Sequence, residues 1–120
     1  MKKTVLVVDD DEDLIEIIQT HLEEKGFAVI GALGGREGLA RAIEEKPDLI
    51  ILDIAMPEMD GFEMLEELRR MPPLEKTPVM MLTAQGKSQN IFEATRLHAV
   101  DFLIKPFTRE ELIRAVDKVI

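Results

Sequence analysis

The 120 residues contain no cysteine, which excludes disulfides, thiolate metal sites and a cysteine nucleophile. No apolar run approaches the ~18 residues of a membrane span, and the start MKKTVLVVDD turns acidic too soon for a signal peptide. Hydrophobic residues make up 46% of the chain and the formal charge is −9, so the expectation is one folded domain over residues 1–120, cytoplasmic, whose counterpart is a protein or a cation and not nucleic acid, which is bound by neutralising phosphates with Lys and Arg.

Short apolar runs alternate with helical stripes along the chain. Val5–Val8 reads as a first strand. Leu14, Ile17, Ile18 and Leu22 follow at helical spacing, and Lys25-Gly26 marks the stop. Phe27–Leu33 is a second run. The spacing predicts a second helix from Gly35 to Glu45, burying Leu39, Ala42 and Ile43. Pro47-Asp48 introduces Leu49–Leu52, which ends in Asp53. After the loop IAMPEMDG, Asp60 and Glu63 have capping-box spacing for a third helix with Phe62, Leu65 and Leu68 inside. Pro72-Pro73 breaks the chain. Val79–Leu82 ends in Thr83, a fourth helix runs from Ser88 to Leu97, and Phe102–Ile104 ends in Lys105. Thr108 and Glu111 form a second capping box, opening a last helix that presents Leu112, Ile113 and Val116.

Strand and helix thus alternate five times, which argues for an α/β fold with a parallel sheet between helices on both faces. The first, third and fourth runs are apolar throughout, as central parallel strands are, and the fifth is mixed, as an edge strand can be. The fold expected is a flavodoxin-like (βα)5 three-layer sandwich with strand order 2-1-3-4-5.

Four runs finish on a polar residue: Asp9, Asp53, Thr83 and Lys105. In a parallel sheet these ends share one rim, where open α/β sheets bind ligands at the reversal of strand order. With the first and third strands adjacent, Asp9, Asp10 and Asp53 crowd together, and uncompensated carboxylates that close repel. Magnesium is the fitting relief, since it takes one or two carboxylates, keeps waters and also holds phosphate oxygens. Metal, Lys105 and the Thr83 hydroxyl make a receptacle for a phosphoryl group, with Asp53 placed to act as nucleophile. Asp9–Asp13 can equally be read as an N-cap and first-turn acidic cluster. The coincidence of all four strand ends on one rim favours the site.

VLVVDDDEDL, PDLIILDIAMPEMDGFEML, PVMMLTA and DFLIKPF together resemble the motifs of bacterial two-component response-regulator receiver domains, in order and over essentially the whole chain. The resemblance implies a phosphoacceptor switch. Asp53 would accept a phosphoryl group from a phosphohistidine on a sensor histidine kinase or phosphotransfer protein. Asp10 would ligate Mg2+ directly, Asp9 mainly through water, and the Ala55 carbonyl would complete the protein's share. Lys105 would bind phosphoryl oxygens, joined by Thr83 and the Ala84 amide. Phe102 matches the switch aromatic, the Lys105–Pro106 bond would be cis, and the fourth helix, fifth strand and fifth helix would form the output face.

Departures from the family pattern carry their own expectations. His98 stands where the family most often has glycine, so a residue of positive φ is expected there, at a cost of ~1 kcal/mol. Ala55 and Gln85, two residues beyond Asp53 and Thr83, occupy positions that tune phosphoryl lifetime in the family, and Ala55 offers no side chain to hold a water. GALGGREG is not a nucleotide loop, lacking G-x-G and G-K-[ST]; Gly34 and Gly35 instead open the second helix. Met56, Met59, Met80 and Met81 read as packing residues, and His21 as structural or exposed. Two competing functions are a magnesium-dependent phosphohydrolase with an aspartate nucleophile, disfavoured by Ala55 where such enzymes carry an acid/base aspartate, and a receiver-like module that is never phosphorylated, disfavoured because the acidic pair, the acceptor and the lysine are all present.

Overall fold

The computed structural model describes residues 2–84 and 88–120; Gln85 lies outside the described residues. The elements are β1 (Thr4–Val8), α1 (Glu12–Glu24), β2 (Ala28–Ala32), α2 (Gly35–Glu45), β3 (Leu49–Asp53), α3 (Gly61–Arg69), β4 (Val79–Thr83), α4 (Ser88–Arg96), β5 (Asp101–Ile104) and α5 (Arg109–Asp117). The five strands are parallel, as the alternation implies, and lie in the order β2-β1-β3-β4-β5 expected of a flavodoxin-like sheet.

Alternate residues of each strand face opposite layers. Val5, Val7, Leu49, Ile51, Met80 and Leu82 pack under α1 and α5. Leu6, Val8, Ile50, Leu52, Val79 and Met81 pack under α2, α3 and α4. β3 and β4 are buried end to end, so their polar last residues, Asp53 and Thr83, are carried into nearly dry positions by the strands themselves. Both predicted capping boxes form, at Asp60 with Glu63 and at Thr108 with Glu111. Asp11 caps α1 by accepting from the amides of Asp13 and Leu14. Met56, Met80 and Met81 are buried, and Met59 packs against the cluster that holds Met56 and Met81, as packing residues do. His21 is half-buried on α1. The Lys105–Pro106 peptide is cis.

Two helices turn differently from the stripe reading. α1 buries Ile15, Ile18 and Leu22 and leaves Ile17 exposed. The reason is Gly31 on β2: a Cβ there would stand 2.6 Å from Ile15 Cγ2, so the glycine opens the space that Ile15 fills. α2 buries Gly35, Gly38 and Ala42, with Leu39 half-buried and Ile43 exposed. This helix sits down on its small-residue edge. A Cβ at Gly38 would meet Val8 Cγ1 and Met64 Sδ, both at 2.9 Å. Bulk is excluded from that line and Ile43 is rolled outward. Phe62 and Ile113, expected inside, are half-buried; Met64 and Ala115 take the deeper positions.

At the end of the sheet opposite the polar rim, Arg69 reaches four backbone carbonyls. Its guanidinium donates to Leu97 O (3.0 Å), His98 O (3.1 Å), Glu75 O (3.1 Å) and Thr77 O (2.8 Å). One planar fork thereby satisfies the C-terminal end of α4 and the loop leading into β4. His98 lies in the same junction with φ 60°, the left-handed conformation expected where glycine is usual.

These contacts generate two stability predictions. His98→Gly should raise the urea midpoint by an amount worth up to about 1 kcal/mol, because glycine pays no Cβ penalty at positive φ; an unchanged or lowered midpoint would count against strain at this helix end. Arg69→Ala should cost about 2–4 kcal/mol by the same measurement, since charged donors are lost and several carbonyls lose their partner. Arg69→Lys should recover less than half of that, because an ammonium cannot span the fork.

Candidate functional site

The polar rim is built by the ends of four elements. Asp9 follows β1 and is fixed by its own amide, which donates to Ala32 O at 3.1 Å. Asp53 ends β3, and the next amide, Ile54 N–H, donates to Leu82 O at 3.0 Å. Lys105 follows β5, its amide donating to Thr83 O at 2.7 Å. Gly61 lets α3 begin against the acceptor strand: its amide donates to Ile54 O at 2.9 Å, and an added Cβ would lie 2.3 Å from Asp53 O. A residue larger than glycine at 61 would push the loop carrying Ala55 away from Asp53.

The resulting open cleft, of about 480 Å³, is lined by Asp9, Asp10, Asp53, Ala55, Thr83, Ala84 and Lys105, together with Asp11, Ile54 and Asn90. Every residue expected at the chemistry is therefore in one place except Phe102, which is half-buried in β5 and packed against the α3–α4 core. Asn90, on α4, went unnoticed in the sequence. Its signal was present: it stands four and seven residues before Ala94 and Leu97, on the buried stripe of its helix, where an apolar side chain is expected.

Asp9 is 0% exposed and Asp53 4%, whereas Asp10 stands exposed at the rim. One carboxylate oxygen from each of the three lies within 4.8 Å of the others. Lys105 bridges two of them: its Nζ donates to Asp9 Oδ2 at 3.1 Å and to Asp53 Oδ1 at 3.2 Å. Asp9 Oδ1 accepts from the Asp11 amide at 2.9 Å.

Burial pushes the Asp53 carboxyl up, and the neighbouring Asp9 charge adds to it; Lys105 pulls the other way but loses, and the value reaches about 6. Burial likewise raises Asp9 against its bonds to Asp11 and Lys105. For Lys105, burial works against the charge, but the bonds and charges of Asp9 and Asp53 outweigh it and hold the ammonium above its usual range. The chain's single ammonium in the cluster thus leaves a surplus of negative charge in a dry place. The oxygen-only donor set, three carboxylates in reach of one point, suits a small hard divalent cation.

The sign of the pH dependence follows. Asp53 binds its proton more tightly folded (about 6) than unfolded (3.8), so in metal-free protein its contribution to stability falls as pH rises through the window between those values. Asp53→Asn should therefore stabilise the metal-free protein by about 1–3 kcal/mol at pH 7.5, from a shift of roughly two units at 1.36 kcal/mol each, reduced by the bond lost to Lys105. The advantage should fade toward pH 4. Millimolar magnesium should raise the parent's urea midpoint more than the variant's. Equal midpoints at pH 7.5 in chelator would show that the three carboxylates do not strain the fold.

Residues 5–117 match the response regulator receiver domain family. The chain is 40% identical over 112 residues to the alkaline phosphatase synthesis transcriptional regulatory protein PhoP of Bacillus subtilis, covering 93% of this chain and 46% of that protein. It is 40% identical over 114 residues to an uncharacterised 14.6 kDa protein of Leptolyngbya boryana, covering 95% of this chain and 87% of that one. It spans about half the length, or less, of most of the curated relatives it matches. Among solved structures, the chemotaxis protein CheY4 of Vibrio cholerae superposes over 100% of both chains with a TM-score of 0.96 at 33% identity. With the fold, the rim of acids and the match over nearly the whole length in agreement, the chain belongs to the response regulator receiver domains of two-component signalling systems.

Proposed function

We propose that this receiver domain is a phosphoacceptor switch in which Asp53 takes a phosphoryl group from a phosphohistidine on a sensor histidine kinase or histidine phosphotransfer protein of the cytoplasm. The observation that carries the reading is the position of Asp53: a buried carboxylate at the end of an otherwise apolar strand, opening into a cleft beside the carboxylates of Asp9 and Asp10 and hydrogen-bonded to an ammonium.

An Asp53 oxygen attacks phosphorus, the P–N bond to the imidazole breaks, and the imidazole leaves with a proton from solvent. The chain acts only on itself, in phosphorylation and in its reversal. Asp9, Asp10, Asp53 and the Ala55 carbonyl are the groups to hold Mg2+, which supplies positive charge against the incoming phosphoryl oxygens. Lys105 trades its bond to Asp53 for one to a phosphoryl oxygen. Thr83 and the Ala84 amide meet the remaining oxygens, and Phe102, three residues before Lys105, packs inward as Thr83 moves. This is a shift between two packings that a partner reads. The output face is α4, β5 and α5, and exposed Ile91, Phe92, Val100 and Ile104 give it apolar character.

Incubation with acetyl phosphate and magnesium tests the reading by intact mass. One added phosphoryl group is expected in the parent, with no adduct in Asp53→Asn or in chelator. An adduct that persists in Asp53→Asn places the acceptor elsewhere. No adduct in the parent with magnesium present favours a receiver-like module that is never phosphorylated.

A further inference from the structure

We infer that the carboxamide of Asn90 orients the water that hydrolyses the aspartyl phosphate, an inference that rests on Asp53 being the acceptor. The starting observation is that α4 is amphipathic the wrong way round at its first turns. Ile91 is 46% and Phe92 70% exposed, while Asn90 is half-buried. Asn90 shares a helix face with Ala94 and Leu97, at i+4 and i+7, and both of those are buried against the core. An apolar residue at 90 would complete that stripe. The chain instead turns two large hydrophobes outward and an amide inward.

The inward direction explains the choice. At the N-terminal end of α4 the stripe runs off the core and onto the cleft that holds Asp9, Asp10, Asp53, Thr83 and Lys105. Partial burial of an amide costs free energy unless it is hydrogen-bonded. Among the described residues no protein group pairs with the Asn90 side chain. Its partner is then whatever occupies the cleft.

The chemistry of the cleft narrows the role. The three phosphoryl oxygens are already provided for by Lys105, by Thr83 with the Ala84 amide, and by the divalent cation that the acidic cluster would hold. Among the described residues, what this inventory lacks is a group for the attacking water. Ala55 and Ala84 present only methyl groups. Asp9 and Asp53 are bonded to Lys105, Asp11 caps α1, and Asp10 would serve the cation with Asp9 and Asp53. Among the described lining residues other than Thr83, Asn90 is the neutral side chain with both a donor and an acceptor. Its Oδ1 accepts from the water and its Nδ2 donates to a phosphoryl oxygen, which holds the water oxygen toward phosphorus. In the step itself the water oxygen bonds to phosphorus and the bond from phosphorus to the Asp53 oxygen breaks. The Asp53 carboxylate is released, and both protons of the water end on the departing dihydrogen phosphate.

The test loads the parent, Asn90→Ala and Asn90→Leu with acetyl phosphate and magnesium, removes the donor by rapid desalting, and follows loss of the adduct by intact mass. Both variants are expected to lose it roughly tenfold more slowly, the scale set by misplacing a reacting group. Asn90→Leu completes the apolar stripe, so its urea midpoint should equal or exceed the parent's while its decay is slow, a split that a merely structural role would not produce. Slowing beyond twofold in both variants supports the inference. Decay within twofold of the parent, or faster, in either variant overturns it, as does a variant that fails to load where the parent loads. If the parent itself takes no phosphoryl group, the acceptor reading falls and this inference falls with it; if the parent loads and all three decay alike, only the role of Asn90 is removed.

Discussion

One ammonium among three carboxylates is the constraint around which the molecule is arranged. Lys105 Nζ binds Asp9 and Asp53 at 3.1 and 3.2 Å, with Asp10 at the rim. A bidentate bridge of this kind in a dry site does not balance the charge; it leaves net negative charge where burial makes charge expensive. The raised Asp53 and Asp9 carboxyls express that surplus. Three carboxylates in reach of one point under such load suit a small hard cation.

The fold exists to hold that load in place. Carboxylates repel toward solvent unless their backbones cannot move, and β1 and β3 are buried strands whose side chains lock into both layers. Gly61 brings the start of α3 onto the carbonyl of Asp53. The amide of Lys105 is tied to Thr83 O, so the strand that delivers the ammonium cannot drift from the strand that delivers the hydroxyl. At the far end Arg69 gathers four carbonyls from the segments that precede β4 and β5. Both ends of these strands are therefore anchored by polar contacts, one by an ion cluster and the other by a guanidinium.

What was legible in the sequence is what depends on one residue and its neighbours along the chain. Strand runs, both capping boxes and the polar strand ends were all readable, because burial of parallel strands demands unbroken apolar runs and any polar residue ending one stands out; the strand order came from the likeness to a flavodoxin-like fold and not from the runs. Helix phase in α1 and α2 was not. Which side of a helix goes inward was decided by space on a different element, at Gly31 for Ile15 and at the Val8–Met64 wall for Gly38, and periodicity carries no information about that space. Arg69 left no pattern because its partners are backbone carbonyls, which every residue has. Lys105 was recognised as a site residue, but its direct bonds to Asp9 and Asp53 depend on the reach of a side chain. Asn90 was legible in principle, as a polar residue on a buried stripe, yet the stripe could only be phased once Ala94 and Leu97 were known to be inside.

α4 lies between the cleft and the outer surface. It is a nine-residue helix, too short to be held by its own propensity. Its outward face leaves Ile91 and Phe92 to solvent, which is unfavourable for an isolated domain. Its inward face spends the first stripe position on an amide at the cleft, which is equally unfavourable for packing. Each departure from ordinary amphipathicity weakens the helix's hold on the core at its N-terminal end, while Ala94, Leu97 and the Arg69 carbonyl contacts secure its C-terminal end. The exposed Ile91 and Phe92 therefore stand on the same turns as Asn90, the residue of α4 that lines the cleft.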